Sequence, residues 1–528
     1  MLTVKKASLD WALAHALSLG DTDVLPIPFE YLAIRYDWGR VRAYLASQDL
    51  LQWVVRPHRR LLAPKARYGF RVVTQLDPLD FLLFAALVKE IGADVEDCRV
   101  PISQQTVFSY RFAPRSGGGL FDPKIGFASF QTSTRNHLER SRPPKYVAVA
   151  DIADFYPRIY LHRLENALAA ATSRTSHVAA VMRLLEGWNS TETFGIPVGS
   201  APSRLLAEVT IADVDEALLA NGITFVRFND DYRMFAKTHS EAYRSLVFLA
   251  DNLHRMHGLT LQPQKTSILS RRDFMKRFLR GPEDRELVSL QATFISLVEL
   301  LGLEDPYGEI VYADLDDEQR TLVDSMNLAH LFREELDKRP KEPDQLLMRF
   351  ILRRLGQLGD DSVVDSTLSN LDSLYPIFPD IVFYLQALGH LEVDRRKEIG
   401  RTIIGLLGHS IVSELPFHRL WALNLFTHST EWDNEGAFVK LYNEASDDFS
   451  RRELILAMGR CGHTHWFQGQ WRGFLDLPPW PRRALLAGAS CMPGDARRHW
   501  YRSLDSHLDP LERAVAAWAK KNPFALPR

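Results

Sequence analysis

Ile223-Thr-Phe-Val-Arg-Phe-Asn-Asp-Asp-Tyr-Arg-Met-Phe235 reads as a strand, a tight turn and a return strand. Apolar β-formers flank Asn229, Asp230 and Asp231 on both sides. Two adjacent carboxylates at a hairpin tip repel each other unless a cation neutralises them. A hard divalent ion such as Mg²⁺, with Mn²⁺ as a substitute, takes such oxygen ligands and also holds substrate phosphates. An Asn-Asp-Asp turn is equally a common solvated turn, so its meaning depends on what surrounds it in the chain.

Upstream, Tyr146-Val-Ala-Val-Ala150 has the continuous apolar character of a buried strand and runs directly into Asp151-Ile-Ala-Asp-Phe-Tyr156. An aspartate at the end of a buried strand is placed to meet carboxylates from a neighbouring hairpin. Asp151 and Asp230 could then hold two divalent ions, the arrangement that clamps an in-line phosphoryl displacement. Asp154 reads as the N-cap of a following helix. Gly195-Ile-Pro-Val-Gly-Ser-Ala-Pro-Ser203 forms a tight loop leading into a helix that starts near Ser203, and its amides suit a nucleotide or phosphate as well as an ordinary helix entry. In Gly258-Leu-Thr-Leu-Gln-Pro-Gln-Lys-Thr266, Lys265 follows a short strand, where a lysine could neutralise or protonate a leaving pyrophosphate.

The 528 residues are too many for one core. A net charge of -2 gives no global polyanion signature. Two local basic segments stand out, Arg56, Arg59, Arg60, Lys65, Arg67 and Arg71, then Arg271, Arg272, Lys276, Arg277 and Arg280, although each also reads as a solvated face. Three scattered cysteines exclude a disulfide framework and fit a reducing compartment. With no signal-like apolar stretch and no run long enough to span a bilayer, a cytoplasmic location without a membrane is expected. Cys461, His463 and His465 lack a second ligand pair and read as a helical-repeat turn. No Walker-type lysine loop is present.

Three regions are expected: 1–145, mixed, with a helix capped by Asp77; 146–285, alternating strands and helices; and 286–528, successive amphipathic helices with almost no period-two alternation. The last suggests an α-solenoid, HEAT-like in character.

The four segments, in this order, resemble the palm domain of reverse transcriptases. Asp151, Phe155 and Tyr156 match an aspartate followed four and five residues later by aromatics. Gly195-Ile-Pro-Val-Gly199, Phe228-Asn-Asp-Asp231 and Gly258-Leu-Thr-Leu-Gln-Pro-Gln-Lys-Thr266 match the other three motifs. The resemblance implies an α+β fingers-palm of the right-hand polymerase fold. Asp151, Asp230 and Asp231 would be metal ligands, Lys265 a general acid, and Tyr156 the ring that excludes a ribose 2′-hydroxyl. Pro197 and Gly199 would border the nucleotide, with Lys65, Arg71 and Arg111 (in Val107-Phe-Ser-Tyr-Arg111) meeting the triphosphate. The chain departs from the pattern at Phe228, usually tyrosine, and at Val198, usually glutamine.

With the helical C-terminus, these features are similar to prokaryotic antiphage reverse transcriptases of the abortive-infection and defence-associated groups. That resemblance implies an oligomeric DNA polymerase using deoxynucleoside triphosphates. It also implies DNA synthesis with or without an RNA template, and priming from a side-chain hydroxyl such as Tyr307, Tyr312, Tyr375, Tyr384 or Tyr501. The rivals are a conventional RNA-templated enzyme of a mobile element and a catalytically silent nucleic-acid-binding scaffold.

Overall fold

Val147 and Val149 alternate with Ala148 and Ala150 along Tyr146–Asp151, and all four are buried, so the strand is covered on both faces. A computed structural model describes residues 1–66, 68–189, 192–279, 315–338, 343–433 and 435–522, with Leu290, Thr293, Phe294 and Leu297. The chain forms two compact units, Met1–Arg60 with Val72–Arg280 and Leu61–Arg71 with Gly281–Arg528. The hairpin β1 (Arg59–Ala66) and β2 (Gly69–Gln75) therefore contributes its tip to the second unit.

The first unit is built on an antiparallel sheet of β3 (Tyr146–Asp151), β4 (Thr224–Phe228), β5 (Asp231–Ala236) and β6 (Ser267–Ser270), in the order β4-β5-β3-β6. The register aligns Tyr146 with Ala236 and carries Asp151 opposite Asp231. Phe108, Phe130, Leu138, Val147, Val149, Val226, Phe235 and Phe274 make one cluster, to which the helix Phe127–Glu139 supplies Phe130 and Leu138. The helix His239–His257 packs on β3, β5 and β6. Pro78–Asp97 begins as the sequence indicates, with the Asp77 side chain accepting from the Leu79 amide at 3.1 Å.

Two local expectations need correction. The helix after the Gly-Pro loop begins at Ala201, two residues before Ser203, because Ser200 is its N-cap and accepts from the Ser203 amide. Asp154 stands before the short helix Phe155–Arg158 without capping it. Its backbone is left-handed at φ 46° and its side chain makes no cap bond.

In the second unit, the helices Gln345–Gln357, Phe378–Ala387, Pro416–His428, Asp448–Arg460, Pro479–Gly488 and Pro510–Lys521 pack each against the next. At the start of the described part of this unit, Asn327, with a φ of 46°, ends Asp317–Met326 and starts Leu328–Asp337. Among the described residues two helices were not anticipated, the short Thr464–Gly469 and the longer Gly494–Leu504, a charge-rich helix in which only Trp500, Tyr501 and Leu504 are buried. No helix among the described residues is long and apolar enough to cross a membrane.

Candidate active site

The hairpin β4–β5 closes at Phe228 opposite Asp231, which leaves Asn229 and Asp230 as the turn. Asn229 takes the left-handed conformation at φ 56°, which an asparagine tolerates better than most residues. Its side-chain amide donates to Asp230 Oδ1 at 2.9 Å, and its side-chain oxygen accepts from the Tyr156 hydroxyl at 3.1 Å. The Asp230 carbonyl takes the Ile152 amide at 3.1 Å, so the turn is stitched to the residue after Asp151.

On the other side of β3, the Gln262 amide donates to the Asp151 carbonyl at 2.7 Å and the Ala153 amide to the Thr260 carbonyl at 2.8 Å. These bonds bring the 258–266 segment alongside. Lys265, in the single turn Pro263–Lys265, donates from Nζ to Asp151 Oδ1 at 2.8 Å. The Gly-Pro loop is tied in through Tyr156, whose carbonyl accepts from the Ile196 amide at 3.1 Å. Thus Asp151, Tyr156, the Gly195–Gly199 loop, Asp230, Asp231 and Lys265, dispersed over more than a hundred residues of sequence, are joined by a continuous set of bonds.

The electrostatics are those of crowded carboxylates. Burial pushes the Asp231 carboxyl up to about 6. Arg233 opposes this from 3.9 Å, while the charges of Asp151 and Asp230 add to it. Arg233 is itself held behind the sheet, donating to Gln131 and Thr134 with its guanidinium 4.1 Å from the Phe130 ring centre. A carboxylate whose proton affinity is raised by burial, with neighbouring carboxylates adding to it, is one that a hard cation relieves. Among the described residues no three His, Cys, Asp or Glu side chains form a ready-made metal cage. Mg²⁺ commonly takes only one or two carboxylates and completes its shell with water and substrate phosphates. The donor set therefore fits such an ion.

Behind the turn lies a network that the sequence did not reveal. Arg227 is fully buried. Its Nη2 lies 2.5 Å from Asp215 and 3.0 Å from Glu208, and its Nη1 donates to the Asn229 carbonyl at 2.8 Å. Glu208 is bonded in turn by Arg99 at 2.6 Å and by the Ser109 hydroxyl at 2.6 Å, and Asp215 by the Tyr232 hydroxyl at 3.2 Å. Burial works against the Arg227 charge, but Asp215 and Glu208 raise its pKa well above the ordinary arginine value. Arg204 was also missed. It pairs with Asp23 and lies 5.2 Å from the centre of the Tyr110 ring. Arg227 lies within the hairpin stretch and Arg204 just after the Gly-Pro loop, and neither has a role in the motif pattern.

The remaining expected residues fare unevenly. Pro197 is buried in its loop. Gly199, at φ 103°, leaves no room for a Cβ, which would fall 2.4 Å from Thr22 Oγ1, and its carbonyl accepts the Asp23 amide. Its role here is to admit the N-terminal segment. Arg111 does not present its guanidinium to solvent for a triphosphate: it is buried, 2.5 Å from Glu96, and donates to the Val100 carbonyl at 3.0 Å. Lys65 on β1 and Arg71 on β2 are exposed within the residues that group with the second unit.

The reverse transcriptase (RNA-dependent DNA polymerase) family matches residues 91–295, which identifies a reverse transcriptase domain, a DNA-polymerising nucleotidyltransferase module, in that span. No curated protein matches the chain. Among solved structures it is similar to telomerase from Candida albicans in complex with a TWJ fragment of telomeric RNA. The identity is 11%, covering 74% of this chain and 68% of that one, with a TM-score of 0.34, a likeness too loose to argue from.

Proposed function

We propose that the chain is a Mg²⁺-dependent DNA polymerase of reverse-transcriptase type acting in antiphage defence by abortive infection. The observation that carries the catalytic part is the convergence of Asp151, Asp230 and Asp231 with Lys265 inside the matched domain. Asp151 and Asp230 would be the principal metal ligands, with Asp231 assisting. The bound ions would supply activation of the attacking hydroxyl and charge neutralisation at the phosphates. Lys265, already bonded to Asp151, is the proton donor closest to hand for the leaving pyrophosphate. Tyr156, whose hydroxyl donates to Asn229, would be the ring that rejects a 2′-hydroxyl. Lys65 and Arg71 are the proposed triphosphate contacts from the hairpin.

The defence role, oligomerisation, a cytoplasmic site of action and a HEAT-like character for the C-terminal helices rest on the motif resemblance, supported by the serial helix packing of the second unit. Untemplated, protein-primed synthesis is part of the same reading, and Val198 in place of a polar residue in the loop favours it. Among the candidate primers, Tyr375, Tyr384 and Tyr501 are buried, and the hydroxyls of Tyr384 and Tyr501 donate to the Asp360 and Leu486 carbonyls. Tyr307 and Tyr312 lie outside the described residues. The exposed tyrosines among those described are Tyr36, Tyr68, Tyr160 and Tyr243, and these join Tyr307 and Tyr312 as candidates.

The test is incubation of purified protein with labelled deoxynucleoside triphosphates and Mg²⁺, with and without template and primer, followed by a denaturing gel. Label on the protein without added nucleic acid supports self-priming. Label only with template and primer supports the conventional enzyme. No incorporation in either arm, with phage protection intact in the Asp230→Ala/Asp231→Ala variant, would leave the scaffold reading in place.

A further inference from the structure

The unanticipated helix Gly494–Leu504 forms one wall of a cleft of about 540 Å³, whose other wall is the end of Pro510–Lys521. Arg497, Arg498, Arg502, Lys520 and Lys521 line it against a single lining carboxylate, Asp505. Arg498, Arg502, Lys520 and Lys521 are exposed. Internal partners occupy only part of this charge. Arg497 donates to the Ser490 carbonyl at 3.1 Å, Arg498 meets the exposed Asp495, and Lys520 Nζ lies 5.2 Å from the centre of the Tyr501 ring. Arg502 and Lys521 have no carboxylate partner among the described residues.

A chain of net charge -2 that gathers five cations around one open cleft has concentrated positive potential where a polyanion can use it. Arg498 and Arg502 are one helical step of about 6 Å apart on the same face, so successive phosphates of a strand can meet successive guanidiniums. The aromatic ring in the cleft, Tyr501, is buried and bonded through its hydroxyl to the Leu486 carbonyl, so it offers no face for base stacking. We propose that this cleft binds a nucleic-acid strand through its phosphate backbone, without base specificity. The proposal deepens the polymerase reading by giving the helical unit a grip on template, primer or product, yet it concerns binding alone.

The test is fluorescence anisotropy with a labelled single-stranded oligonucleotide of mixed sequence, in EDTA so that no synthesis occurs, on the full chain. Reversing four exposed cations (Arg498→Glu, Arg502→Glu, Lys520→Glu, Lys521→Glu) is expected to weaken binding at least about tenfold. It should also flatten the log–log salt dependence by about 3, since each lost contact to a single strand removes about 0.7. Arg498→Lys/Arg502→Lys should restore most of the affinity, because charge at those positions is what matters. Unchanged affinity and salt slope in the reversed variant would overturn the proposal. So would loss of acidic-phospholipid vesicle binding with oligonucleotide binding intact. Deoxynucleotide incorporation, measured separately, distinguishes the two readings: binding lost on reversal in a protein that incorporates nothing leaves the cleft assignment standing and removes the polymerase one.

Discussion

Replacing Arg227 with methionine keeps most of the aliphatic stem and deletes the guanidinium at the centre of the buried network. Three things then change at once. Asp215, buried at 2% exposure, keeps only the Tyr232 hydroxyl. Glu208 keeps Arg99 and Ser109. The Asn229 carbonyl loses the 2.8 Å bond that holds the turn from behind. Removing one partner of a buried ion pair costs about 3–5 kcal/mol, because the remaining charge stays buried without compensation. Against a total stability of about 5–15 kcal/mol, that is a large fraction. The measurement suited to a two-unit chain is local: amide hydrogen exchange followed by mass spectrometry on peptides covering β4 and β5. At 1.36 kcal/mol per factor of ten, exchange there should accelerate between about a hundredfold and a few thousandfold. Adding Asp215→Asn to Arg227→Met removes the stranded charge and should recover part of the loss, a coupling that independent sites would not show. Acceleration of less than about threefold for Arg227→Met, or simple additivity in the double variant, would refute the view that this network holds the Asn229-Asp230 turn.

Four further outcomes are expected. Asp230→Ala/Asp231→Ala should abolish nucleotide incorporation while leaving the melting temperature unchanged or higher, since it relieves a carboxylate that burial and its neighbours already disfavour; circular dichroism and the labelled-nucleotide gel read the two halves. Lys265→Met should slow single-turnover incorporation by about a hundredfold or more if its proton is used, and an unchanged rate would reduce Lys265 to a counter-charge for Asp151. Tyr156→Ala should raise ribonucleotide use relative to deoxynucleotide by about tenfold or more in a competition assay. Asp21 is 3% exposed and its pKa is raised to about 7, chiefly by burial, with Glu30 adding to the effect and Gln75 and Arg59 opposing it. Between its unfolded value near 4 and about 7 the folded state holds the extra proton, so stability falls as pH rises through that window, by about 4 kcal/mol for a three-unit shift. Asp21→Asn should therefore lose less of its melting temperature between pH 5 and pH 8 than the parent does.

The parts of the site legible in the sequence were those whose chemistry is local in the chain. Asp230 and Asp231 sit in a hairpin whose turn is specified by four consecutive residues. Asp151 follows a run of apolar residues that can only be a buried strand. Each local structure is readable without distant partners, although its meaning as a site came only from the four segments together. Arg111 was expected at a triphosphate only through the family resemblance, and its buried pairing with Glu96, on another element, is nothing that its own neighbourhood in the chain announces. Arg227 sits within the quoted stretch itself, yet a strand residue shows in sequence only its alternation. Nothing local announces that Glu208 and Asp215, from two other helices, close around it. Gly494–Leu504 escaped for a related reason: its three buried residues give too sparse a period beside so many charges.

The same distinction bears on how the site works. Carboxylates that repel one another can be kept in place only by structure that does not depend on their attraction. Here the Ile152 and Gln262 amides and the Arg227 guanidinium act on backbone carbonyls around Asp151 and Asp230, and the Asn229 side chain adds a neutral donor to Asp230. Lys265 is bonded directly to Asp151, and it is half exposed on a single turn. On the proposed function, a rigid frame with a displaceable counter-charge would suit a centre that a divalent ion and a triphosphate enter together, the nucleotide passing to the attacking hydroxyl and pyrophosphate departing. The long-range contacts that sequence could not reveal are therefore the ones that keep the legible residues apart enough, and near enough, to be used.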